Sequence, residues 1–220
     1  MPKSKLLVQC DFDGTVTEED VSFMLLDAFS DGNWRQLFEE YCQGKMTVGR
    51  FNTEAFARVK ADRQTMLEAI KDKVKVRAGF PGLAAYCRRK GVRLVIVSNG
   101  LDFYIQAILR DINVKGIEVF AAETRFHPEG LRVRYIGPAG KHVDDKFKET
   151  CVDHFLNKGY QVVYIGNGIS DISPAKKCRH IFAVGDLLAH CNKTNLDFSP
   201  FEHFDEVVKW LELWQAEESP

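Results

Sequence analysis

The residues that could do chemistry in this chain fall at a few separated points. Asp11 and Asp13 stand two apart in Asp11-Phe12-Asp13-Gly14-Thr15, directly after the apolar run Leu6 to Cys10. Two carboxylates at the end of one buried strand repel each other unless a cation or a proton intervenes. Magnesium suits that arrangement, because it takes a few hard oxygen ligands and keeps several of its waters. An Asp-Gly pair on its own marks only a turn. The longer run Asp-Phe-Asp-Gly-Thr-Val-Thr after an apolar strand is far more specific.

Further polar positions follow later apolar runs. Val92 to Val97 leads into Ser98-Asn99-Gly100, Tyr160 to Ile165 into Gly166-Asn167-Gly168, and His180 to Val184 into Gly185-Asp186. Between them lie helical patterns at Phe80 to Lys90, Asp102 to Ile112, Asp144 to Lys158 and Ile169 to Lys177. Strands alternating with helices predict an α/β fold with a parallel sheet covered by helices. In such a sheet ligands bind beyond the carboxyl ends of the strands. The polar strand ends are therefore expected to converge on one pocket.

The stretch from Val21 to Val74 differs. Its spacing predicts helices over Val21 to Phe29, Asn33 to Cys42, Thr47 to Lys60 and Arg63 to Val74, and no strand. We read residues 21–74 as a helical cap over the pocket, and 1–20 with 75–220 as the α/β core domain. Thr124 to Tyr135 alternates around Pro128-Glu129-Gly130 and predicts a β-hairpin. Phe204 to Trp214 predicts an amphipathic helix that packs on the core.

Asp11-Phe12-Asp13-Gly14-Thr15-Val16-Thr17 resembles the first motif of the haloacid dehalogenase superfamily in its phosphatase form. The family's later motifs find counterparts in order: Ser98 after the second strand, Lys146 in Asp144-Asp145-Lys146-Phe147-Lys148, and Gly166-Asn167-Gly168-Ile169-Ser170-Asp171. The likeness covers essentially the whole chain. It implies a Rossmann-like parallel sheet sandwiched by helices, with a C1-type helical cap. Within the superfamily the chain looks most like the phosphoserine phosphatase group and the phosphatases of methionine salvage. Asp20, the hairpin near Pro128 and the Gly166 to Lys176 run carry that narrower likeness.

The resemblance implies a magnesium-dependent phosphomonoesterase acting on a small phosphorylated metabolite. Asp11 would be the nucleophile and Asp13 the general acid and base. Ser98, the backbone of Asn99 and Gly100, and Lys146 would hold the phosphate, with Lys148 a rival read as a solvated helix residue. Asp11, Asp13, Asn167 and Asp171 would hold Mg2+, and Asp20 with Glu19 would face the substrate near the cap. Asn167 departs from the usual Asp, which removes a negative charge while keeping a carbonyl oxygen. Phosphoserine phosphatase proper, or a catalytically weak binding homologue, are the alternatives.

Composition narrows the partners. Thirty basic and 31 acidic residues leave a net charge of -1, which offers no electrostatic reason for nucleic acid or a membrane surface. The six cysteines lack paired short spacing, as expected of reduced thiols, and no long apolar run appears. A cytoplasmic monomer or homodimer is the expectation.

Overall fold

A computed structural model describes residues 5–194 and 196–217. Its sheet has seven strands in the order β4-β3-β2-β1-β5-β6-β7. They are β1 (Lys5–Cys10), β2 (Arg93–Leu101), β3 (Glu118–Arg125), β4 (Arg132–Tyr135), β5 (Tyr160–Gly166), β6 (His180–Ala183) and β7 (Phe198–Pro200). All neighbours pair in parallel except β3 and β4, which run antiparallel from Ala122↔Tyr135 to Arg125↔Arg132. The hairpin read from the sequence is thus an extension of the sheet at its edge.

Leu6 to Cys10 are all buried. A central parallel strand is covered on both faces, so it reads as a continuous apolar run without alternation. β1 lies between β2 and β5, the point where the winding of the sheet reverses direction, and the crevice outside its carboxyl end is where such folds place ligands. Ten helices are described. After the four of the insert come α5 (Phe80–Lys90), α6 (Asp102–Asp111), α7 (Phe147–Asn157), α8 (Ile172–Ala175), α9 (Gly185–Cys191) and α10 (Phe204–Glu217). Against the sheet pack α5, α6, α7 and α9, while α10 lies on α5.

Residues 21–70 form the helical insert: α1 (Val21–Phe29), α2 (Trp34–Cys42), α3 (Val48–Phe56) and α4 (Arg63–Ile70). Three of the four, α1, α3 and α4, start at a residue whose side chain caps them. Asp20, Thr47 and Asp62 accept the backbone N–H of Phe23, Arg50 and Thr65 in turn, which satisfies a donor that the first turn leaves orphaned. The insert closes on itself at an antiparallel bridge between Thr17 and Val76. Leu25, Phe51 and Phe56 of the insert share one buried cluster with Leu7, Val95 and Phe80 of the sheet domain. Asn52 makes the polar counterpart of that contact. Its Nδ2 donates to Asn99 O (2.8 Å) and lies 2.6 Å from Tyr135 Oη.

Three local readings change. Strand β2 runs on through Ser98 to Leu101, with an irregular register between Val97 and Leu101. The helix expected over Asp144 to Lys158 begins only at Phe147, because Lys146 adopts a left-handed backbone (φ 55°). The helix expected over Ile169 to Lys177 is a 3-10 turn, Ile169–Asp171, followed by the short α8.

Candidate active site

Strand β1 delivers Asp11, and the turn after it delivers Asp13. The Asp11 N–H bonds to Ile165 O at 2.9 Å, continuing the ladder by one residue and fixing where the carboxyl emerges. Gly14 (φ 72°) bends the chain back at once, and a Cβ on it would stand 2.1 Å from Asn167 Nδ2. Only glycine fits there, both for the backbone angle and for the space. From below, Arg77 donates to Thr15 O (2.9 Å) and Gly14 O (3.1 Å), tying the turn to the segment after the insert.

Asp11 belongs to a dry ionic cluster. Lys148 Nζ lies 2.8 Å from Asp11 Oδ1 and 2.6 Å from Asp171 Oδ1, and all three side chains are almost wholly buried. Asp171 also receives Tyr164 Oη (2.7 Å) on Oδ1, and the N–H groups of Asn167 (3.1 Å) and Gly168 (2.9 Å) on Oδ2. Burial alone drives the Asp171 pKa up, but Lys148 and these donors outweigh it and hold the carboxyl below its usual range. Burial likewise works against the Lys148 charge, yet Asp11 and Asp171 more than restore it and raise its pKa. For Asp11, burial and the charge of Asp171 push the pKa up to about 7 against the pull of Lys148. It therefore remains within reach of ionisation at neutral pH.

Two expectations are corrected here. The cation at the carboxylates is Lys148, whereas Lys146 is exposed at the head of α7. Lys146, left-handed, stays outside the helix, and the start at Phe147 sets the phase that turns Lys148 inward. Asp171, expected as a metal ligand, has four donors on its two oxygens and is fully buried. It anchors Lys148 and the Gly166–Gly168 turn instead.

Asp13 sits in a different setting. Its Oδ1 accepts the Val21 N–H at the head of α1 (3.2 Å), and its Oδ2 accepts from Ser22 Oγ (3.4 Å) and, closely, from Tyr104 Oη. The two hydroxyls are themselves 2.8 Å apart. Burial, reinforced by the charge of Asp20, raises the Asp13 pKa well above the ordinary carboxylate value. The side chain expected among the metal ligands is thus turned toward α1. Strand residue Gly100 makes room for it, since a Cβ there would lie 2.2 Å from Asp13 Oδ2 and 1.9 Å from Tyr104 Oη.

Above the carboxylates, Ser98 Oγ is buried and accepts the Gly100 N–H at 3.0 Å, which leaves the hydroxyl hydrogen for a ligand. The Gly100 N–H, expected to face a phosphate, is spent on that bond. Asn99 is oriented through its carbonyl, which accepts from Asn52 Nδ2 (2.8 Å) and Tyr135 Oη (2.7 Å). Asp20 lines the cavity, but its Oδ1 caps α1 and burial raises its pKa to about 6. Glu19 stands apart from the cavity lining, its Oε2 accepting the Lys75 N–H at 3.3 Å. The resulting cavity holds about 230 Å³ and brings together Asp11, Asp13, Asp20, Ser98, Asn99, Gly100, Lys148 and Asn167, roofed by Phe23, Phe38, Tyr41, Val48 and Phe51 of the insert. A larger cavity of about 460 Å³ between α4 and α6 gathers no comparable chemistry.

The donor set fits a hard cation that keeps most of its water. Thr15 Oγ1 stands 3.1 Å from Asn167 Oδ1 and 3.5 Å from Asp11 Oδ2, so both oxygens lie about one hydroxyl and are free of Lys148. Among the described residues no group of three or more His, Cys, Asp or Glu side chains forms a metal cage. A site with few protein oxygens is what magnesium uses.

The model of the haloacid dehalogenase-like hydrolase family matches residues 8–176. The chain belongs to that family. This hydrolase is 26% identical over 217 residues to the 2-hydroxy-3-keto-5-methylthiopentenyl-1-phosphate phosphatase of Brevibacillus brevis, covering 97% of this chain and 98% of the relative. It is 28% identical over 226 residues to Pdp3-interacting factor 1 of Schizosaccharomyces pombe, covering 96% of each. Among solved structures, a phospho-aspartyl intermediate analogue of phosphoserine phosphatase superposes with a TM-score of 0.71 at 18% identity, covering 94% of this chain and 99% of that one. The hydrolase thus shares the phosphoserine phosphatase fold. No helix among the described residues is long and apolar enough to cross a membrane.

Proposed function

We propose that this hydrolase is a magnesium-dependent phosphomonoesterase working through an aspartyl-phosphate on Asp11. The observation that carries the reading is the unequal treatment of the two carboxylates. Asp11 has one oxygen locked to Lys148, while the other meets only the Thr15 hydroxyl, at 3.5 Å. Asp13 has no cation against it and a strongly raised pKa. Pairs of carboxylates whose environments separate their pKa values divide into nucleophile and acid.

In the first half-reaction a carboxylate oxygen of Asp11 bonds to phosphorus and the ester P–O bond breaks. Asp13 gives its proton to the departing alcohol oxygen. In the second half-reaction water bonds to phosphorus and passes a proton back to Asp13. The Asp11 O–P bond then breaks and inorganic phosphate leaves. Ser98 donates to a phosphoryl oxygen, and Lys148 fixes the rotamer of Asp11 while offsetting the charge that accumulates. Asp11 and Asn167 would hold Mg2+, which when bound supplies further positive charge to the phosphoryl oxygens. The helical insert acts as the cap, closing water out from above.

Both the family and the full-length likeness to a named phosphatase support this reading, and the ester in that relative's name is the first substrate to try. Asn167 favours a second reading, a phosphometabolite binder with weak turnover, because an amide holds a cation less firmly than a carboxylate. The primary test is phosphate release from p-nitrophenyl phosphate with and without Mg2+. Asp11→Asn should lower it by at least about 10³-fold. Undiminished release would remove Asp11 as nucleophile.

A further inference from the structure

The cavity carries information about the half of the substrate that does not react. Among the described residues Lys148 is the one cation lining it, and its charge is held between the carboxylates of Asp11 and Asp171. The other titratable lining residues beside Asp11, namely Asp13, Asp20 and the rim residue Asp186, are all carboxyl groups. No guanidinium or ammonium remains to meet a second anionic group. Opposite the carboxylates, the insert presents an aromatic wall. Phe38 stands 4.8 Å from Phe23 and 5.6 Å from Phe51, centroid to centroid, and Tyr41 stacks on Phe51 at 6.1 Å.

Ile169 completes the arrangement from the sheet domain. It is 44% exposed, one of few large apolar side chains left open to solvent, and it lines the same cavity two residues from Asn167. A second cleft of about 390 Å³ continues outward past Tyr41, Val48 and Ile169. Its Lys146 is accompanied by Asp145 and Glu149, so it offers an anion no net attraction.

Resting on the phosphatase reading, we propose that the organic end of the substrate is uncharged and apolar. It lies between the aromatic wall and Ile169, and phosphorylated amino acids are rejected although the fold is that of phosphoserine phosphatase. A carboxylate there would be desolvated against acidic residues with no partner, whereas an alkyl or thioether chain loses only water. Like-charge contact in a confined site is a strong discriminator, and each methylene in an apolar slot adds roughly tenfold or more.

The test is kcat/KM, in saturating Mg2+, for p-nitrophenyl phosphate, ethyl phosphate, n-pentyl phosphate and phosphoserine. Pentyl phosphate should exceed ethyl phosphate by at least about 10-fold and phosphoserine by at least about 100-fold. Val48→Lys, on the partly exposed first turn of α3, puts a cation on the wall and should shift the phosphoserine-to-pentyl ratio at least about 10-fold toward phosphoserine. Ile169→Lys does the same from the opposite face and guards against misfolding of either variant. Equal or better turnover of phosphoserine by the native enzyme would overturn the inference while leaving the phosphatase reading intact. Absence of release from every ester, p-nitrophenyl phosphate included, would take both down.

Discussion

Asp11 and Asp13 are the same residue type two positions apart, yet the protein treats them as different chemical species. Around Asp11 the environment is ionic, with Lys148 between it and Asp171 and a pKa near 7. Around Asp13 it is made of hydroxyls and one backbone N–H, and no cation compensates the burial. The difference comes from topology. Asp11 faces α7 beneath the sheet's carboxyl edge, whereas Asp13, the residue before the Gly14 turn, meets the start of the insert and α6. A buried carboxylate is an anion or an acid according to what the fold brings to it.

Removing Asp13, the proposed acid, is the most direct way to break that contrast. Asp13→Asn should lower kcat for an alkyl phosphate by roughly 10²–10⁴-fold, with a smaller loss for p-nitrophenyl phosphate, whose leaving group needs less protonation. Equal losses for the two esters would mean that Asp13 does not protonate the leaving group. The ionic side is tested by its lysine. Lys148→Ala strands two buried carboxylates and should cost about 3–5 kcal/mol in urea unfolding, while Lys146→Ala should stay within about 0.5 kcal/mol. Comparable costs would contradict the assignment of the inward lysine.

Asn167 sharpens the comparison from the metal side. Asn167→Asp adds a charge next to Asp11 and should lower the Mg2+ concentration for half-maximal activity about tenfold. An unchanged Mg2+ requirement would remove residue 167 from the metal site. The smallest effect is expected at Tyr104. Its hydroxyl hydrogen bond favours ionised Asp13, so Tyr104→Phe should raise the Asp13 pKa further. The proposed mechanism needs Asp13 protonated, so the alkaline limb of the kcat/KM profile should move upward, by about one pH unit or less. A limb that stays in place would show that Tyr104 does not tune the acid.

Much of this was legible in the sequence because it is local. An apolar run followed by Asp-x-Asp-Gly specifies a buried strand, a tight turn and two converging carboxylates within ten residues. Helix starts at Asp20, Thr47 and Asp62 are equally local. What escaped depended on helix phase or on distance along the chain. Lys146 and Lys148 differ only by where α7 begins, and a left-handed residue at 146 sets that start. Tyr104 meets Asp13 across 91 residues and Asn52 meets Tyr135 across 83, with no pattern in either segment to announce the partner. Asp171 reads as a ligand from its type, and only its full set of donors shows that it is a strut. Strand β7 is three residues ending in proline, too short for any periodicity.

Gly100 has a consequence for how this chain can vary over time. Its α-carbon faces the bond between Asp13 and Tyr104 so closely that even a methyl group would overlap both partners. Gly82, in α5, would place a methyl group no nearer than 3.8 Å to Asp205 Oδ1. Under selection for activity, a library saturating both positions should return many residues at 82 and glycine alone at 100. At that one position inheritance is constrained by an empty volume, which only the smallest residue can leave unfilled.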